Sequence, residues 1–143
     1  MRIKYNKIYQ DAHAPTHNHT GDAGLDFYSL EFVVVPPQKH MVVRTGIKVE
    51  IPEGCVGFLY PKGKNDHLLG AGVIDTYYEG EILFKVVNYT DKRLVIDVGA
   101  AIGQMVIVPF IEPEPVESYI ESRNTERGEK AGIKRELDTE QFV

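Results

Sequence analysis

The sequence is poor in cysteine and in long apolar runs, and each absence restricts what the protein can be. Cys55 is the one cysteine among 143 residues, so no intramolecular disulfide can form, and its apolar surroundings predict a buried, inert thiol. No segment approaches the roughly 20 apolar residues of a membrane-spanning helix. The first residues also lack a signal-length apolar stretch. We therefore expect an intracellular, cytoplasmic protein, or one in the host cytoplasm if a phage or virus encodes it.

Positive charge is also scarce in the sequence. The chain has 16 Lys and Arg against 21 Asp and Glu, which gives a formal net charge of −5. Duplex nucleic acid is bound by clustered positive charge in excess, so this composition argues against such a surface. A small anionic ligand is still compatible with it, because that ligand needs only a local group of cations and backbone N–H donors. The length and the 43% apolar share predict one globular domain.

Short apolar and β-branched runs dominate the first 115 residues, and turn residues separate them. No helical period occurs between the runs, which argues against the alternative of a buried parallel sheet with crossover helices. Their spacing is typical of an all-β sandwich or jelly roll. The predicted strands cover residues 32–35, 41–44, 47–51, 56–60, 82–87, 94–98 and 102–110.

The composition changes after Pro115, and residues 117–143 are densely charged. We therefore divide the chain into a β domain of residues 1–116 and a charged C-terminal arm of residues 117–143. The arm cannot contribute much to a hydrophobic core. It is either a solvated tail or a segment that becomes ordered when a ligand binds, and composition alone favours the tail.

The glycine-rich stretch of residues 70–82 is the most informative part of the sequence. Its glycines flank an aspartate, Asp75, and an aromatic residue, Tyr78, before a strand begins. Glycine lets a ligand approach the backbone closely, and an aromatic ring can stack against a sugar. Asp75 is then suited to orient a water molecule. The alternative is a plain hairpin with an aspartate in its turn.

Two further segments carry groups that could bind a polyphosphate. Residues 61–65 end a predicted strand with Lys62, Gly63 and Lys64, and two cations beside a glycine suit phosphate oxyanions. Gln104 stands among apolar neighbours near the start of another predicted strand. The alternative interpretation of residues 61–65 is an exposed charged turn.

Histidines and aspartates are concentrated near the N-terminus, and their side chains are those of metal ligands. Pro15 and Gly21 make this segment a loop, which favours solvated histidines. We predict no zinc site there. The residues concerned are Asp11, His13, His17, His19 and Asp22.

Taken in order, these segments resemble the motifs of the deoxyuridine triphosphate nucleotidohydrolase (dUTPase) family. The resemblance implies a dUTPase-like distorted jelly roll or β-barrel with a flexible C-terminal arm. It also implies an enzyme that hydrolyses dUTP to dUMP and pyrophosphate. The five motifs correspond to residues 23–26, 61–63, 72–81, 99–104 and 127–132.

The resemblance gives each motif residue a role. Asp75 would orient and deprotonate the attacking water, and Tyr78 would lie beneath the deoxyribose and exclude a 2′-hydroxyl. The backbone of Gly72, Val73 and Ile74 would read the pyrimidine. The phosphates would be held by Lys62, Gly63, Lys64, Gln104 and Arg127.

The resemblance also implies a cofactor and an assembly. Mg²⁺ would be bound mainly by phosphate oxygens and water, with Asp26 accepting a hydrogen bond from a coordinated water, as suits an ion that dehydrates reluctantly. The expected partners are a deoxynucleoside triphosphate and further copies of the chain in a homotrimer with shared active sites. We expect neither nucleic acid nor a membrane as a partner.

Several positions depart from the family pattern. Lys62 and Gly63 stand where the second motif usually has arginine and serine. The point charge of an ammonium thus replaces a planar guanidinium, and the serine hydroxyl is missing. Leu69 replaces an asparagine, Tyr77 replaces a second acid, and Gly132 stands where the fifth motif has a base-covering phenylalanine. These departures leave two alternatives open: a triphosphatase for another or a modified pyrimidine deoxynucleotide, and a non-hydrolysing dUTPase-like regulatory protein.

Overall fold

The computed structural model describes residues 1–65 and 67–122, and in these residues the chain is all-β without a helix. The predicted fold class is confirmed. No described segment is a helix that could cross a membrane. The strands are β1 (Lys4–Lys7), β2 (Gly24–Tyr28), β3 (Val33–Val35), β4 (His40–Arg44), β5 (Ile47–Glu50), β6 (Cys55–Tyr60), β7 (Leu68–Leu69), β8 (Gly72–Ile74), β9 (Leu83–Val87), β10 (Leu94–Ile96) and β11 (Ala101–Pro109).

The strands pair in four antiparallel sheets. The largest has the order β2-β11-β6-β8, and a second has the order β4-β9-β7. Two smaller sheets pair β1 with β5 and β3 with β10. Most of these pairs join strands that are far apart in the sequence, as expected of a jelly roll.

Side chains of both larger sheets fill one hydrophobic core. Phe27 of β2 and Phe84 of β9 pack with ring centroids 5.8 Å apart. Cys55 is buried and free, as predicted. The other fully buried members include Val35, Val43, Ile47, Ile82, Val86, Ile102 and Met105.

Residues 1–112 form a compact unit by themselves. Of the residues that follow, 113–122 are described and form neither helix nor strand. The boundary that we predict after residue 116 stays a prediction.

Four strands fall outside the predicted set, namely β1, β2, β7 and β8. β1 consists of four exposed residues, and β7 and β8 have only two and three residues. Such strands carry too few apolar side chains for a periodic pattern. They form because a partner strand, distant in sequence, offers backbone hydrogen bonds.

The register of the largest sheet decides where the motifs lie. β8 runs antiparallel to β6 and ends beside the first residues of β6, so Asp75 lies near that end. At the other end of β6, Tyr60 pairs with Gln104 of β11, which pairs with Asp26 of β2. Asp75 of the third motif therefore lies at one end of this sheet, and Asp26 of the first motif and Gln104 of the fourth lie toward the opposite end.

Candidate active site

The first, second and fourth motifs meet around one buried carboxylate. Asp26 is 3% exposed, and Lys62 Nζ lies 2.6 Å from its Oδ2 atom. Among the residues that the structure describes, no hydrogen-bond donor of regular geometry reaches that oxygen. The Lys62 ammonium therefore supplies its charge compensation. Gln104 Nε2 donates to Pro61 O at 3.1 Å and fixes the adjoining loop against β11.

Two more contacts hold the loop of the second motif along β11. Asn65 Nδ2 donates to Ala101 O at 3.3 Å, and a ring nitrogen of the buried His67 lies 3.1 Å from Ile102 O. Residues 61 and 65 are thus both tied to the fourth motif. The exposed residues between them are Gly63 and Lys64.

The third motif ends β8 in a tight turn that presents Asp75 to solvent. Tyr78 N–H donates to Asp75 O at 3.1 Å, which closes a four-residue turn. The Tyr78 hydroxyl donates to Glu81 O at 2.7 Å. The ring of Tyr78 lies so close to Gly80 that a Cβ atom there would come within 2.6 Å of it. A glycine at position 80 is therefore necessary for this position of the tyrosine ring.

The backbone that is predicted to read the base belongs to β8, which is an edge strand. β8 pairs with β6 on one side, and no described strand pairs with its other side. An edge strand presents backbone N–H and C=O groups to a ligand. Gly72 is half-buried, Val73 is exposed and Ile74 is buried, so the side chains alternate as in a regular strand.

Glu81 connects the end of the third motif to β4. Arg44 Nη2 donates to Glu81 Oε1 at 2.9 Å, and Gly46 N–H donates to Oε2 at 3.0 Å. Burial would raise the pKa of Glu81, but the two hydrogen bonds, the positive charge of Arg44 and the Thr45 backbone together hold the pKa below its ordinary value of 4.5. Hydrogen bonds to Glu81 and Tyr9 raise the pKa of Arg44 in turn.

The Glu81 carboxylate should make the folded state sensitive to acid. Because its pKa is lower in the folded chain, its stabilising effect is present above the ordinary pKa and is lost as the pH falls through the folded pKa. We expect Glu81→Gln to lower the melting temperature at pH 7 by on the order of 5 °C. The difference in melting temperature between the variant and the wild type should become smaller below about pH 4. Thermal unfolding from pH 7 to 3 measures this, with Glu79→Gln as the exposed control. A gap that does not change with pH would contradict the prediction.

Comparison with known proteins gives a family match over most of the chain. The family model for dUTPase matches residues 10–134. The chain belongs to the dUTPase family. A deoxyuridine 5'-triphosphate nucleotidohydrolase of Clostridium kluyveri is 36% identical over 135 residues, which cover 90% of this chain and 94% of that relative. The predicted family resemblance is confirmed.

Solved structures of phage dUTPases share the fold of this family member. The dUTPase of Staphylococcus bacteriophage 80alpha with dUPNHPP has a TM-score of 0.79 at 29% identity, covering 92% of this chain and 96% of that chain. A mutant dUTPase from phage phi11 of S. aureus has a TM-score of 0.76 at 26% identity, covering 87% of this chain and 100% of that chain. The latter structure is described as revealing the coordination of a structural Mg(II) ion.

Several contacts around the dUTPase motifs could not be found from the sequence. The support of the third motif by Arg44 joins residues 37 positions apart. The contacts of Pro61, Asn65 and His67 with β11 depend on a register that no local pattern reveals. Asp26, Lys62 and Gln104 come together as a group, and Asp75 and Tyr78 form a second group. Arg127 and Gly132 lie outside the described residues.

Proposed function

We propose that the chain hydrolyses dUTP to dUMP and pyrophosphate. The observation that carries this proposal is the exposed Asp75 carboxylate in the turn after β8, in a chain of the dUTPase family. Asp75 orients a water molecule and accepts its proton as the oxygen attacks the α-phosphorus. The bond from the α-phosphorus to the bridging oxygen breaks, and pyrophosphate leaves.

The residues around Asp75 recognise the nucleoside. The backbone of β8, from Gly72 to Ile74, supplies N–H and C=O groups to the uracil edge. Tyr78 lies beneath the deoxyribose, and its hydroxyl bond to Glu81 O holds the ring where it excludes a 2′-hydroxyl. This arrangement favours deoxyribonucleotides over ribonucleotides.

The second group of residues holds the triphosphate. Lys62 is already fixed by its ion pair with Asp26, so its ammonium needs little further ordering to meet a phosphate. The exposed tip of the loop adds a second cation and backbone donors close by. The proposed phosphate-binding residues are Lys62, Gly63, Lys64, Gln104 and, from the C-terminal arm of residues 117–143, Arg127.

The donor set at Asp26 fits a hydrated Mg²⁺ ion. The described residues contain no group of three or more His, Cys, Asp or Glu that could form a metal cage. One buried carboxylate whose oxygen has only an ionic partner suits an ion that keeps most of its waters. Asp26 would accept a hydrogen bond from a coordinated water. When bound, the ion supplies charge neutralisation on the triphosphate.

One chain alone does not bring the two groups together. Asp75 and Asp26 lie at opposite edges and opposite ends of the largest sheet. About 13 Å along the strands and about 14 Å across three strand spacings separate them, roughly 20 Å in total. A water on Asp75 cannot attack a phosphate held that far away. We therefore propose a homotrimer in which neighbouring copies complete each site.

Pyrophosphate release from each deoxynucleoside triphosphate in parallel, with Mg²⁺, tests the proposed function. We expect dUTP to be the preferred substrate and dUMP the second product. Preference for another pyrimidine would replace dUTP as the substrate and agree with the changes at Leu69 and Gly132. Nucleotide binding without turnover of any substrate would overturn hydrolysis in favour of a regulatory role.

Tyr78→Ala should relax the selectivity for the sugar. The ring is the bulky group that the third motif places at the 2′ position, so its removal should let UTP compete better with dUTP. We expect the ratio of kcat/KM for dUTP over UTP to fall by about tenfold or more. Tyr60→Ala, an exposed tyrosine at the other end of the same sheet, is the control. An unchanged ratio would remove Tyr78 from sugar recognition.

A further inference from the structure

Three consecutive hydroxyl groups hold the turn that carries Asp75 in place. Each of the three residues after Asp75 uses its side chain to hydrogen-bond a different acceptor. The bonds run from Thr76 Oγ1 to Cys55 O at 2.8 Å, from the Tyr77 hydroxyl to Glu53 Oε1 at 3.2 Å, and from the Tyr78 hydroxyl to Glu81 O at 2.7 Å.

Two of the three bonds end on one turn, formed by residues 52–55. Cys55 N–H donates to Pro52 O at 3.1 Å, and Gly54 adopts a φ of 77°, which few other residues tolerate. Phe110 N–H, just after β11, donates to Gly54 O at 3.0 Å. This turn is therefore fixed by its own backbone, and it offers a stable support for the neighbouring turn of Asp75.

We propose that Thr76 and Tyr77 are positioning residues that hold the Asp75 carboxylate at the angle needed for water activation. The inference rests on the function proposed above. Thr76 follows Asp75 directly, so the bond to Cys55 O limits rotation of the turn and hence of the carboxylate. The half-buried Thr76 bond is shielded from water, and it contributes more than the bond of Tyr77, which is 79% exposed.

Tyr77 stands where the family often has a second acid, and the structure gives this change a physical account. Its hydroxyl donates to Glu53, and that hydrogen bond raises the pKa of Tyr77. An aspartate at position 77 has a shorter side chain and no hydroxyl to donate to Glu53, so it would lack this hydrogen bond. Tyrosine therefore adds an attachment of the turn that an acid at this position would not supply.

Thr76→Val and Thr76→Ser form a matched pair that tests the inference. Valine keeps the shape and loses the hydroxyl, whereas serine keeps the hydroxyl. We expect kcat of Thr76→Val to fall by about tenfold, less than the roughly hundredfold cost of a 1 Å misplacement. The dissociation constant for the dUTP analogue dUPNHPP should stay within about twofold of the wild-type value, because nucleotide binding does not require the attacking water to be in place. Thr76→Ser should recover kcat to within about threefold of wild type.

The second attachment is tested with Tyr77→Phe and Glu53→Ala. Each removes one end of the same bond, so each should lower kcat by about twofold to threefold, and the double variant should lose no more than either alone. Glu53→Gln keeps an acceptor oxygen and should behave as wild type. These variants act on exposed side chains and do not depend on the folding of Thr76→Val.

The outcomes separate this inference from the proposed function. Suppose that the wild type is active. The positioning role alone is overturned if kcat is unchanged in Thr76→Val, or if kcat falls equally in the valine and serine variants. A loss of dUPNHPP affinity that matches the loss of kcat also overturns it, because the defect is then in binding. A wild type that releases no pyrophosphate overturns the proposed function and this inference with it. An Asp75→Asn variant that hydrolyses at the wild-type rate overturns the role of Asp75 and this inference, but not the hydrolysis.

Discussion

Asp75→Asn is expected to abolish turnover while leaving the fold and nucleotide binding intact. The amide is nearly isosteric with the carboxylate but cannot take a proton from the attacking water, so the loss should reach about 10²–10⁴-fold in kcat. The side chain is exposed, so the change should cost little stability. Pyrophosphate release measures the rate, and calorimetric titration with dUPNHPP measures binding.

The matched control is Asp91→Asn, which removes the same charge from an exposed turn far from the third motif in sequence. Its kcat should equal that of wild type, since a change of net charge alone does not affect the reacting atoms. An Asp75→Asn variant that keeps near-native turnover would contradict the role of Asp75. A variant that also loses dUPNHPP binding would make Asp75 a binding residue.

Mixed assemblies of two inactive variants should regain activity. One partner is Asp75→Asn, and the other carries Asp26→Asn together with Lys62→Met, which removes the ion pair as a unit and leaves no unpaired buried charge. Each variant alone should be inactive. If neighbouring copies complete each site, random mixing gives both wild-type groups in about a quarter of all sites, which is about one site in three within each mixed trimer. Co-expression with two affinity tags isolates the mixed assemblies for the assay.

The same mixture also shows the result that would contradict shared sites. If each site were built within one chain, no subunit in the mixture would contain both groups, and activity would stay absent although mixed assemblies form. The roughly 20 Å between Asp75 and Asp26 predicts recovery. Mass measurement of the wild-type assembly, expected to be three times 16.1 kDa, identifies the number of copies.

The fold class could be predicted because the longer strands have periodic or continuous apolar patterns. All seven predicted strands overlap strands of the structure, and both ends of the β6 prediction, residues 56–60, lie within one residue of its observed bounds. β1 and β8 were not predictable in this way. β1 is stabilised by pairing with β5, and β8 by pairing with β6. The polar sequence of β1 and the three residues of β8 do not by themselves indicate that a partner strand exists.

The site was predictable as a set of residues but not as an arrangement. The glycine-rich stretch around Asp75 indicates a ligand, because close backbone approach and a lone aspartate recur where water is activated. That Asp26 pairs with Lys62, and that both lie at the far end of the sheet from Asp75, follows from the registers of β2, β6 and β11. Register is set by the whole hydrophobic pattern, so no local motif contains it.

The pairing of early strands with late ones also determines when the chain can fold. β2 pairs with β11, and β3 pairs with β10. Residues 24–35 therefore cannot form these contacts until residues 94–106 are present. Loop closure over about 70 residues must come before these contacts give any stabilisation, which slows folding. During synthesis the first half of the β domain therefore cannot complete its sheets by itself. A ribosome-bound chain that ends before residue 109 should thus remain sensitive to protease, and protection should appear in one step once β11 has emerged.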